Sequence, residues 1–434
     1  MIQAHLLPTT YQQKLLWHIV KNKPELPFAN LNIHIKFDGS IEPQTLLNAF
    51  KNLIMEQDGL RTSFHEIEGV LWRLIHTEPM IDLEFTDIRG TTPEHQNKFM
   101  QAFIEKTFSN PMPMDLPLAV RGRLFQLGDE DFRLIATLNH MVTDGLSIVS
   151  LFFRLAQLYQ QTNLPAPPSN FETFAEEQNH FLKSPRELRQ MNFWRQYLDG
   201  YDPTDSFSLQ SAPDKLYLYH TLLPSETMRK LAASSEGTLS HAHFIMQSAY
   251  MVLLAKAFEL KDIGIFSILA NRSREYRSTI GYLANIVIYR TMLNDDPSLQ
   301  DVLALTESSL HQVARNAKLP YLKVWREIFH EDYDRIPRFF FNLIPQPDKP
   351  LPFGSATVQA VPGLSDWIYW NGQEHYTLGL TIYMTMPNSA GLEWRYDSRL
   401  FKKETVQAWS DFYLRIVNDL LDSKNSKLSE LVFP

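Results

Sequence analysis

The chain has 434 residues, a formal net charge of −8 and no cysteine. Its length predicts two domains, its acidic balance excludes a general nucleic-acid binder, and the missing cysteines exclude disulfides, thiolate metal sites and a Cys nucleophile. With 44% hydrophobic and 21% charged residues, no run near the ~20 apolar residues of a membrane span and no signal-peptide pattern in Met1–Pro8, the expectation is a soluble, cytoplasmic, globular protein that meets no membrane.

In chain order, Leu31, Ile33, Ile35 and Phe37 alternate with Asn32, His34 and Lys36, which predicts a half-buried strand closed by Asp38-Gly39. Leu46, Leu47, Phe50, Leu53 and Ile54 recur at helical spacing behind Pro43. Phe132, Leu134, Ala136 and Leu138 alternate up to the segment Asn139-His140-Met141-Val142-Thr143-Asp144-Gly145, and Leu146 to Tyr159 then reads as a helix. That segment therefore sits at a strand-to-helix junction, where loops present side chains to a cleft. Pro165, Pro167 and Pro168 mark a connection between halves, 1–170 and 171–434. One polar helical stretch is predicted from Phe171 to about Leu198, carrying Trp194. Leu216 to Leu223 reads as a strand, with Ser225 as an N-cap. His241 to Ala257 reads as a strongly apolar helix. Strands are expected at Ile263–Ala270, Ile286–Met292, Arg338–Ile344 and Tyr376–Met386, and a final helix at Glu404–Leu421. Each half is mixed α/β.

The sharpest local signal is His140. A neutral imidazole accepts a proton from an amine or hydroxyl near neutral pH. Asp144 can fix the loop through an Arg partner, and Gly145 can ease a tight turn into the helix. On this motif alone, a satisfied strand-end histidine is an equally good reading. His241-Ala242-His243 has a spacing seen in metal sites, but no carboxylate or Cys completes it, so no metal is expected. The aromatic cluster Trp367, Tyr369 and Trp370 reads as packing rather than as a binding surface.

The segment resembles the His-His-x-x-x-Asp-Gly signature of the condensation domains of nonribosomal peptide synthetases, within the chloramphenicol acetyltransferase-like superfamily. Thr10-Tyr11-Gln12-Gln13-Lys14-Leu15-Leu16-Trp17 is similar to the family's opening Ser-x-Ala-Gln-x-Arg-Leu-Trp, and Leu60-Arg61-Thr62-Ser63-Phe64 to its Leu-Arg-Thr-x-Phe. Asn271-Arg272, Ile280-Gly281-Tyr282-Leu283-Ala284-Asn285 and Arg290 resemble its Arg, Ile-Gly-x-Phe-x-Asn and Arg pattern. Leu319-Pro320-Tyr321, Phe340-Phe341-Asn342-Leu343-Ile344-Pro345 and Leu392-Glu393-Trp394-Arg395-Tyr396-Asp397 with Leu400-Phe401 follow in family order. Three departures stand out. Asn139 replaces the first His, Glu56-Gln57-Asp58 replaces an Arg-His-Glu, and Gln12 and Leu15 replace Ala and Arg.

The resemblance implies an α/β fold of two chloramphenicol acetyltransferase-like subdomains in a V-shaped arrangement with a central tunnel. It implies a free-standing, monomeric condensation enzyme that transfers an acyl group from a carrier-protein thioester to an amine or hydroxyl, forming an amide or ester in natural-product biosynthesis. His140 matches the catalytic His, as base or positioning group. Asp144, Gly145 and Arg272 are expected to be structural, with Arg272 the partner of Asp144. Asn139 and Asn342 are candidate tunnel residues. No cofactor is bound; the substrate rides on the phosphopantetheine of a partner acyl or peptidyl carrier protein, and the acceptor is a small amine or alcohol or a second carrier-bound group. Rival expectations are a CoA-dependent acyltransferase and a non-catalytic condensation-like recruitment domain. A heterocyclisation domain fits less well, because Asn139 is not Asp and His140 is present; an epimerisation domain would need a Gly-His-Gly-Arg-Glu run that is absent.

Overall fold

The computed structural model describes residues 6–161, 170–202, 215–234, 238–329, 338–360, 367–369 and 377–434. The proline-bearing connection around Pro165 and the residue Trp370 lie outside them, as do the side chains of Trp367 and Tyr369.

Two mixed sheets carry the fold, and a three-stranded sheet of Leu6–Pro8, Val70–Ile75 and Thr62–Ile67 flanks them. The first large sheet has the spatial order Leu351–Phe353, Ala356–Ala360, Asn30–Asp38, Asp131–Asn139, Leu118–Gln126, Met80–Asp87. Ile33, Ile35 and Phe37 point inward from Asn30–Asp38, as the alternation predicts. The neighbouring strand Asp131–Asn139 is buried on both faces. Ile135 packs with Met100 and Ile104 of the helix Pro93–Ser109, while Leu134, Ala136 and Leu138 join the main core with Leu151 and Leu155 of the helix Gly145–Tyr159. A strand covered on both sides is a rigid platform for whatever its end presents.

The second sheet runs Asn285–Met292, Asp262–Leu269, Phe339–Pro345, Leu378–Thr385, Ser389–Tyr396, Lys215–Leu222, Trp367–Tyr369. Phe339–Pro345 is parallel to both its neighbours. The helix Leu239–Phe258 lies against this sheet and is apolar all round, because it also packs against Leu299–Asn316 and Lys403–Leu421.

Two sequence expectations change. The stretch from Phe171 is two helices, Phe171–Phe181 and Pro185–Tyr197, since Pro185 opens the second one at its first turn. Ser225 is the first residue of its helix rather than the cap before it. His243 is buried, bonds Gln247 within its own helix at 3.0 Å and lies against the Phe341 ring. Among the described residues, no helix is long and apolar enough to cross a membrane, and no group of three metal-ligating side chains occurs.

Candidate active site at the end of the central strand

His140 follows directly on the strand Asp131–Asn139. Its N–H still donates to the Ala29 carbonyl at 2.8 Å, so the loop leaves the sheet from a fixed point. The ring nitrogen Nδ1 lies 2.7 Å from the Thr143 carbonyl oxygen. A carbonyl only accepts, so in the neutral ring Nδ1 carries the hydrogen and Nε2 the lone pair. The Thr143 hydroxyl donates back to the Asn139 carbonyl at 2.8 Å, closing the loop on itself. His140 is 8% exposed, and its ring lies against that of Tyr282 with centroids 4.6 Å apart.

Asn139 faces the protein. It is 1% exposed, its Nδ2 donates to the carbonyls of Pro113 (3.1 Å) and Leu118 (3.4 Å), and its Oδ1 accepts from the Met141 N–H at 3.0 Å. Both ends of the amide hold loop backbone. A second pin comes from the helix Tyr11–Asn22, where Gln13 Nε2 donates to the Met141 carbonyl at 3.0 Å. The same Gln13 forms a capping box with Thr10, which fixes its own position.

Asp144 caps the helix Gly145–Tyr159 by accepting from the Ser147 N–H at 2.8 Å. Its carboxylate also accepts from Arg272 Nη1 (2.9 Å) and Nη2 (2.8 Å) and from the N–H groups of Leu283 and Ala284, both at 2.9 Å. Asp144 is 1% exposed. Burial alone would raise its pKa, but the Arg272 guanidinium and the N–H donors of Ser147 and Ala284 outweigh it and hold the carboxyl below its ordinary range. Ser147 adds a further tie, accepting from the Gly281 N–H at 3.0 Å and donating to the Gly281 carbonyl at 2.5 Å. Gly281 has to be glycine, because a Cβ there would sit 2.2 Å from the Phe171 ring. Residues around 144 and around 280 are thus one bonded unit.

Gly145 departs from the turn reading. Its φ is not positive, and a Cβ on it would meet nothing within 4 Å; neither backbone strain nor crowding demands a glycine. The position faces open space at the start of the helix. Asn342 lies in Phe339–Pro345, partly exposed. Strand alternation puts it on the face of Phe340, which packs with Phe266 and Ile286, and opposite Phe341, which meets Tyr250 of the apolar helix. A cavity of ≈ 410 Å³ opens behind Arg272, between the helix Phe171–Phe181 and the loop Asn271–Tyr276; His140 does not line it.

Sequence reasoning does not single out Gln13, Ser147 or Tyr282 as site residues. Gln13 and Tyr282 lie inside segments that carry the family resemblance, yet spacing gives no sign that one pins the loop and the other meets the imidazole.

The comparisons agree on one family. A linear gramicidin synthase of Brevibacillus parabrevis is 23% identical over 447 residues, covering 99% of this chain; the chain spans 8% of that synthase's length. The first condensation domain of the CDA synthetase superposes with a TM-score of 0.78 at 16% identity, covering 99% of each chain. The starter condensation domain of the rhizomide synthetase, in a complex with C8-CoA, superposes with a TM-score of 0.85 at 14% identity, covering 99% of this chain and 98% of that one. Both likenesses give the chloramphenicol acetyltransferase-like fold. A family model described as Condensation domain matches residues 3–434, and the chain belongs to this family of acyltransferases.

Proposed function

We propose that the chain transfers an acyl group from the phosphopantetheine thioester of a carrier protein to an amine, forming an amide in natural-product biosynthesis. The observation that carries this is the His140 ring, fixed through Nδ1 on Thr143 with Nε2 as its basic nitrogen. The acceptor nitrogen attacks the thioester carbonyl carbon. A C–N bond forms and the C–S bond breaks. The proton lost by nitrogen passes to Nε2 and on to the departing thiolate, so charge and atoms balance. No acyl-enzyme is required, in keeping with a chain that has no cysteine. Asp144 takes no part in proton transfer, since its carboxylate is saturated with donors; with Arg272 it positions the loop. An intact His140, Asp144 and Gly145 speak against a recruitment-only role.

His140→Ala tests the reading. Turnover should fall by at least ~100-fold with the melting temperature unchanged; rates near wild type would sink the assignment. The donor class is read in the same assay. An acyl group on a carrier protein should show a higher kcat/KM than the same group on CoA, because docking contacts add to transition-state binding. Equal or better use of acyl-CoA would move the chain to the CoA-dependent class.

A further inference from the structure

We infer that Gln12 forms a binding subsite for one substrate oxygen beside His140, so that the enzyme selects acyl or acceptor groups bearing a hydroxyl or oxo substituent; the inference rests on His140 being the reacting centre. Gln12 is 4% exposed, in the helix Tyr11–Asn22. Its amide orientation follows from its neighbours. The Tyr11 N–H donates to Gln178 Oε1 at 2.9 Å, which leaves Gln178 Nε2 to donate to Gln12 Oε1, also at 2.9 Å. Gln12 Nε2 is then a buried donor with no acceptor among the described residues. Such a group costs roughly 1–3 kcal/mol when unpaired, and natural chains keep one where a ligand completes it.

The surroundings say which ligand. Gln12 lines a recess of ≈ 10 Å³ together with Leu15, Tyr282, Asn285, Ile286 and Pro320. That is room for about one oxygen-sized group. The Asn285 amide is already spent, donating to the carbonyls of Ala317 and Leu319 and accepting from the Tyr321 N–H. A resident water needs two to four polar partners, and Leu15, Ile286 and Pro320 supply none. What the recess lacks is an acceptor oxygen. Tyr282 lines the recess and also lies against the His140 ring, so an oxygen lodged there belongs to a substituent close to the reacting carbon. Gln12 and Leu15 are also the two positions at which the opening segment departs from the family's Ala and Arg. The donor is therefore a feature of this chain.

Two matched pairs test the subsite. Octanoyl-CoA against 3-hydroxyoctanoyl-CoA probes the donor side; alanine against serine thioesters of N-acetylcysteamine probe the acceptor side. Each pair is read as kcat/KM and, with unreactive amide analogues, as Kd by calorimetry. In the wild type one pair should favour its hydroxylated member about tenfold or more. Gln12→Ala should bring that ratio near one. Gln12→Glu keeps an acceptor for Gln178 Nε2 but replaces the donor, and should also lose the preference; melting temperatures show whether either variant is folded. An unchanged ratio in both variants, or no preference in the wild type for either pair, overturns the subsite. If transfer is absent but the Kd ratio responds to Gln12, the subsite stands and the His140 reading fails.

Discussion

The Asp144 carboxylate holds its charge at 1% exposure because Arg272 and three backbone N–H groups surround it. Asp144→Ala leaves the buried guanidinium of Arg272 without its counter-charge, at a cost of roughly 3–5 kcal/mol. The melting temperature should fall by several degrees together with activity; a variant that melts like wild type and only reacts slowly would contradict a positioning role. The pH dependence has a definite sign. The folded pKa lies below the ordinary 3.8, so this contribution is intact at neutral pH and is lost only as pH falls below about 4. His34 acts in a higher window. Its two ring nitrogens have no partner among the described residues. Burial first, and then the nearby Arg133, push its pKa from 6.5 down to about 4, against a smaller opposing pull from Asp131. Between those values the unfolded chain binds the extra proton and the folded chain does not, so stability falls as pH drops from 6.5 toward 4. His34→Gln should shrink the drop in melting temperature between pH 7 and pH 5 by about one to two degrees. An equal drop in both proteins would show that His34 does not titrate in this way.

At the scale of elements, the helix Tyr11–Asn22 does two jobs with one side chain. Gln13 caps the helix through its box with Thr10 and holds the Met141 carbonyl. Gln13→Ala should cost about 1 kcal/mol of stability through the cap and about tenfold in kcat through a looser His140 loop. Thr10→Ala loses the cap but leaves the Gln13 to Met141 bond, so it should melt lower without the rate loss; equal rate losses in the two variants would refute the separate pin. This helix also shows where sequence reading stops. Its buried face includes Gln12 and Gln13, and a hydrophobic pattern scores such positions as exposed, so periodicity does not reveal the helix. The strands Asn30–Asp38 and Asp131–Asn139 are legible because apolar side chains recur at every second position along them. Met80–Asp87 is not, because it is a sheet edge whose Met80 and Phe85 stay exposed. The loop residues His140, Asp144 and Arg272 are legible through resemblance. The contacts of Ser147 with Gly281 and of Tyr282 with His140 join positions more than a hundred residues apart, and no local pattern encodes them.

At the scale of the whole molecule, the second half completes the first. The strand Ala356–Ala360 pairs antiparallel with Asn30–Asp38, Thr357 opposite Asp38 and Val358 opposite Phe37. The Phe353 ring packs edge-on against Phe37 at 5.1 Å. Gly39 permits the approach, since it has φ +121 and Ala356 Cα would lie 2.8 Å from a Cβ placed on it. Arg272 and the N–H groups of Leu283 and Ala284 then supply the partners of Asp144. A fragment of residues 1–170, the first half as read from the sequence, would lack all of these. Its strand Asn30–Asp38 would become an open edge, the inner face at Phe37 would lose its cover, and Asp144 would lose its counter-charge. We expect the fragment to bind a hydrophobic dye and to melt without a cooperative transition, while the full chain melts in one step that Asp144→Ala and Arg272→Met both shift downward. Calorimetry decides it. A sharp, two-state transition from the isolated fragment would mean that the first half folds by itself, and that the strand Ala356–Ala360 and the Asp144–Arg272 pair dock two independent units rather than build one.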